Sequence, residues 1–80
     1  MVARIAVIYQ PYVAGAKGTL MPGPPMQCRG EDDGRRRAER AVESGIAVGA
    51  HVVRVEVDEE VGDYGEPEYV LTLGRVPDAG

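Results

Sequence analysis

DDGRRRAERAVESGIAVGA (32–50), HVVRVEV (51–57), DEEVGDYGEPE (58–68) and YVLTLGRVP (69–77) form the run on which the fold is decided. The first segment carries a helical pattern, with Ala38, Ala41, Val42 and Gly45 at the i, i+3, i+4, i+7 spacing of one buried face. Asp32 or Asp33 is the expected N-cap, and Glu31 to Asp33 place acidic groups at the positive end of the helix dipole. Arg36, Arg40 and Glu43 project from the opposite face, and Arg35 stands four residues before Glu39, where an ion pair is expected. Gly49 is the expected C-terminal stop, with Gly45 as an earlier alternative and Ile46 and Val48 extending the apolar face. The next segment alternates as a strand, with Val53, Val55 and Val57 on a buried face and Val52, Arg54 and Glu56 on a solvated one. An acidic turn follows. The closing strand sets Tyr69, Leu71 and Leu73 against Val70, Thr72 and Gly74, which makes an antiparallel hairpin the natural pairing.

Working outward, the 4–9 run RIAVIY has no polar face and predicts a buried, central strand. Residues 10–30 read as an irregular connection, because Pro11, Pro22, Pro24, Pro25 and several glycines interrupt regular structure. A short edge strand near Gly18–Met21 or Met26–Arg29 fits the tolerance of sheet edges for proline. MPGPPM (21–26) has the spacing of a polyproline ligand, but a stiff connection packed by Leu20, Met21 and Met26 accounts for it. GAKGT (15–19) lacks the spacing of a phosphate loop. The tail at 78–80 is expected to fray. The fold class is α+β, in β-α-β-β order: a three- to four-stranded, mainly antiparallel sheet with one helix on one face.

Eighty residues make one domain, 1–80. The chain has no Phe and no Trp, so its core is left to aliphatic residues, alanines and four tyrosines. A core of that quality usually needs a staple, a metal or self-association. Cys28 is the only cysteine, so no internal disulfide exists, and a homodimer becomes an option. A lone thiol fits the reducing cytoplasm. The apolar run before Gln10 is too short for a membrane span or a signal peptide. A net charge of -4 and a pI near 4.8 argue against general affinity for nucleic acid or anionic membrane.

Ala38-Glu39-Arg40, Gly62-Asp63-Tyr64 with Pro67, and Val70-Leu71 with Gly74-Arg75-Val76-Pro77 together resemble a group of small uncharacterised bacterial and phage proteins. These share an AER-type helix and a closing VLxxGxVP strand. The resemblance spans about half of the chain. It implies an α+β fold with a helix across an antiparallel sheet, and it implies no active site.

Chemistry is sparse. His51 is the only histidine, and neither it nor Cys28 sits in a nucleophile–base signature, so a packed thiol and a strand imidazole are expected. The acidic turn lacks the ordering of a calcium loop. Glu59, Glu60, Asp63, Tyr64 and Glu66 are candidates for an acidic surface that docks on a basic partner. Arg36 and Arg40 are candidates for the opposite pole, although Glu39 and Glu43 dilute the field and no aromatic or hydroxyl residues accompany them for base reading. No catalytic residue, metal ligand or cofactor is expected. The reading is a small acidic, non-catalytic module that binds a protein partner. Two alternatives stand beside it: a phage-encoded inhibitor of a host defence system, of the anti-CRISPR kind, and nucleic-acid contact through the arginine-rich helix.

Overall fold

The computed structural model describes residues 3–58, 60 and 62–77, with Ala3, Asp63 and Tyr64 described by their backbone alone. The elements are β1 (Ala3–Ala14), a short 3-10 turn (Ala16–Gly18), β2 (Leu20–Pro22), β3 (Met26–Cys28), α1 (Glu31–Ser44), β4 (Gly49–Asp58), β5 (Asp63–Tyr64) and β6 (Glu68–Gly74). The architecture is α+β: one helix packed on an antiparallel sheet. Its six strand segments lie in four rows. β1 and β4 form the middle, paired from Ala3–Asp58 to Tyr12–Gly49. β2 and β3 share one edge against β1, while β5 and β6 share the other against β4. β3 and β4 both run antiparallel to β1 and flank it, so the chain must cross the sheet between them. α1 makes that crossing.

The strand expected at 4–9 is central, and it runs further, to Ala14. The expectation of an irregular 10–30 segment is therefore corrected at its start: Gln10 and Pro11 belong to β1. Proline fits because its missing N–H falls at a bulge. Gln10 and Pro11 of β1 stand opposite three edge residues, Gly23 to Pro25, between the β3 and β2 ladders. The Pro11 carbonyl still accepts the Gly23 N–H at 2.9 Å. The Gln10 side-chain amide then donates to the carbonyls of Pro11 and Gly23, each at 2.8 Å. It thus serves the Gly23 carbonyl that a backbone N–H at position 11 would otherwise have reached.

The helix differs from expectation at both ends. It starts at Glu31 after an extended Gly30, with no side-chain cap. Asp33 acts from inside the first turn instead: its Oδ2 accepts the Arg29 N–H at 3.0 Å and the Arg37 Nε at 3.3 Å. That makes the i, i+4 ion pair Asp33–Arg37 rather than Arg35–Glu39. The helix ends at Ser44, because Gly45 takes the left-handed conformation (φ 82°) that favours glycine. Gly49 is the first residue of β4. Ile46 accordingly leaves the helical stripe and is 74% exposed. The buried stripe is Gly34, Ala38 and Ala41, with no large side chain to hold helix and sheet apart. A Cβ on Gly34 would lie 2.8 Å from Val52 Cγ1, so glycine is required for the approach.

The face assignment of β4 holds for Val55 and Val57, which are buried, and for exposed Glu56, and is corrected at Val52 and Val53. Val52 is the most buried valine of the strand (0% exposed) and lies under the helix with Val7, Tyr9, Ala38, Ala41 and Ala50. Val53, by contrast, is half-buried on the other face. Ala6, Val55 and Val57 form a separate small cluster there, flanked by Ile8. In β6 the register shifts between its partners Val52 and Val53, where Val70 is the extra residue. The bulge places Val70 with Leu71 and Leu73 against the helix-side core, and separates Tyr69 from them.

Candidate interaction site

The helix stripe is set over β1 and β4 and meets the β2–β3 edge at Cys28, beside Gly34; past that contact helix and edge stand apart. Between the two runs a groove of about 800 Å³. Its floor is Tyr9, Pro11 and Val13, the alternate residues of β1 that face the helix. One wall is the flank of α1, where Arg37, Arg40, Ala41 and Ser44 follow the 3.6-residue period. The other wall is the bulged edge, with Gly23, Pro24 and Met26. Ile46, just beyond the Gly45 cap, closes one end. Met26 is 46% exposed. Since an isolated exposed apolar residue is ordinary and a cluster in a concavity is not, the groove stands out on this surface.

The charged groups sit on the rim. The Asp33 carboxyl is held below the usual carboxylate range, chiefly by the Arg29 N–H and further by Arg37. Arg40 makes no ion pair with any described residue, and Glu43 lies towards the Ile46 end. The Tyr9 hydroxyl is pushed up by burial, and secondarily by the neighbouring Cys28. Burial likewise pushes the Cys28 thiol up, with Asp33 adding to it. A thiol so placed is a packing group, with its S–H directed at the Met26 carbonyl at 3.7 Å.

Of the residues singled out in the sequence, Arg40 joins this groove, while Arg36 is exposed elsewhere on the helix. Glu59 lies outside the described residues. Glu60 is exposed, with its N–H on Asp58 Oδ1 at 3.1 Å. Asp63 and Tyr64 form β5 by pairing with Asp58 and Val57. Glu66 lines a second, polar hollow of about 570 Å³ near the start of the helix, where Arg54 binds Glu31 at 2.8 Å and also Glu68. These bonds hold the Arg54 guanidinium above its ordinary value, Glu68 contributing most. That cluster ties α1 to β4 and β6 and is structural. Among the described side chains, the acidic and arginine candidates do not converge. Cys28 and His51 also stay apart: Cys28 pairs with Val7 on the helix side, whereas His51 pairs with Gln10 on the opposite face. The groove residues Tyr9, Pro11, Val13 and Ile46 were not legible as a site. Their only signal was the proline- and methionine-rich stretch that forms one wall.

The helix-free face carries two further features. Tyr12 and His51 meet edge to face, with centroids 5.4 Å apart, and His51 tilts on Tyr69 at 4.8 Å. His51 Nδ1 also shares a hydrogen bond with Thr72 Oγ1 at 3.1 Å. Further along the face, Ala6, Ile8, Val55 and Val57 floor a hollow of about 470 Å³ rimmed by Arg4, Gln27 and Gly62. Among the described residues no helix is long and apolar enough to cross a membrane, and no group of His, Cys, Asp and Glu is placed to hold a metal ion. No protein-family model, curated protein or solved structure matches the chain.

Proposed function

We propose that this chain is a non-catalytic protein-interaction module of the cytoplasm, and that the groove between α1 and the bulged edge is where it receives its partner. The observation that carries the reading is the groove itself: an apolar floor and walls with guanidinium groups confined to the rim. The occupant we infer is a short amphipathic helix with an acidic residue beside Arg37 and Arg40. From Arg37 to Ser44 the helical wall is roughly 10 Å long at a 1.5 Å rise per residue, which matches two turns. Strand addition is disfavoured at this edge, because Pro22, Pro24 and Pro25 lack the donors an added strand would use. Arg40, without an ion pair among the described residues, selects a carboxylate by charge complementarity.

The test is a titration followed by backbone amide NMR. The probe is a synthetic helical peptide with leucines at i, i+3, i+4 and i+7 and glutamates at its N-terminal end. Shifts should localise to Tyr9, Val13, Met26 and Ala41. Met26→Asp or Ile46→Asp should weaken binding at least about tenfold, or about 1.4 kcal/mol, without lowering the thermal midpoint. Absence of shifts, or shifts confined to β5 and β6, would count against the groove.

A further inference from the structure

We propose that the helix-free face of the sheet is a self-association surface, and that its occupant is a second copy of this chain related by a twofold axis near the Ile8–Val53 pair. Ile8 and Val53 are registered partners on the two middle strands, both half-buried, at the centre of this face. The aromatic row starts to one side of them at Tyr12, four residues further along β1, and runs diagonally through His51 to Tyr69, which pairs with Val53 and is 57% exposed. The hollow floored by Ala6, Val55 and Val57 lies to the other side. A protrusion and a concavity on opposite sides of one centre are what a twofold axis exchanges. Rotation about an axis that crosses the strands at Ile8–Val53 lays each copy's Tyr12 and His51 over the other's hollow and brings the two Tyr69 side chains together at the axis. The interface is then isologous and closes at two copies.

Three physical arguments favour this occupant. Small residues such as Ala6 leave room in the hollow, and a tyrosine ring fills such space while its hydroxyl reaches a polar rim. The area is adequate: ten paired residues at roughly 3.3 Å rise and four rows at roughly 4.8 Å spacing project to about 600 Å². With side-chain relief that approaches the roughly 800 Å² per partner of a stable interface. Finally, the chain has no Phe or Trp, and its second apolar cluster consists of Ala6, Val55 and Val57 with Ile8, which no helix covers. Packing a second sheet over that cluster supplies the missing layer. The inference does not rest on the groove. If both hold, the dimer carries two grooves facing outward, an arrangement suited to bivalent partners.

The experiment is light scattering on a sizing column over a hundredfold range of concentration, with each variant checked by circular dichroism. The unaltered chain should show twice its 8.6 kDa mass and dissociate on dilution. Tyr69→Ala, at an exposed site, should weaken the dimer at least tenfold and leave the fold intact. Ile8→Ser at the centre should do the same more strongly. Ile46→Asp, on the helix side, should leave the mass unchanged. A monomer at every concentration overturns the proposal. So does a dimer that survives Tyr69→Ala and Ile8→Ser but is lost in Ile46→Asp.

Discussion

The two faces of the sheet bury valines by different means. On the helix side, Val52 reaches full burial because Gly34, Ala38 and Ala41 bring a whole helix down on it. On the other side, Ala6, Val55 and Val57 are packed with Ile8 and lie under no helix among the described residues, and Arg4, Gln27 and Gly62 rim the hollow they floor. One face is a packed layer, and the other is one side chain thick. Burial alone therefore does not distinguish a core from a surface that is nearly one. The difference lies in whether a second layer of backbone stands behind it.

The sharpest way to break the arrangement is at Gly49, where β4 meets the end of β6. A Cβ there would run into the Arg75 backbone carbonyl, which cannot swing aside as a side chain would. Gly49→Ala should cost about 3 kcal/mol, at the upper end of overpacking, read from urea unfolding midpoints. Next is the direct contrast between neighbours on opposite faces. Val52→Ala should lose about 2 kcal/mol from transfer and cavity, whereas Val53→Ala should lose under about 1 kcal/mol. Equal losses would mean that the helix-free face is as deeply packed as the other, and would erase the distinction.

A smaller effect is expected at the bulge. Gln10→Ala leaves the Gly23 carbonyl without the side-chain donor that replaces the missing N–H of Pro11. The expected cost is about 1 kcal/mol, with faster hydrogen exchange at Gly23. The smallest effect belongs to His51, whose imidazole is held below its ordinary value by burial. The folded chain thus binds fewer protons than the unfolded chain below the ordinary value of about 6.5. The stability from this group is complete above that pH and is lost as pH falls through it towards the folded value. The thermal midpoint should decline over that interval, and His51→Gln should flatten that part of the difference profile.

Much of the fold was legible. The 4–9 run without a polar face marked a central strand, the period of Ala38 and Ala41 marked a helix face, and the 51–57 and 69–74 runs marked a hairpin. Local chemistry also placed acidic residues in the first turn. Other features failed for reasons that are not local. Pro11 was read as a breaker because its tolerance depends on which way its nitrogen points, and that is set by a bulge on a different strand. Gly49 outranked Gly45 as a stop because both glycines and the apolar 46–48 residues fit a helix pattern. The candidate site was hardly legible at all. Its residues come from β1, α1 and the edge, and only Arg40, Met26 and the prolines carried a local signal.

The sequence by itself determined the helix, the 4–9 strand, the antiparallel hairpin of 51–57 with 69–74 and the smallness of the helix stripe, because periodicity, turn chemistry and residue volume act over a few positions. Only the tertiary structure decided which face of β4 lies beneath the helix. Val52 and Val53 are chemically identical, and the strand alternates valines on both sides. The choice is made by the crossing of α1 from β3 to β4 and by the fit of Gly34 against Val52, contacts between residues far apart in the chain. The same crossing leaves one flank of the helix as a groove and the reverse of the sheet uncovered.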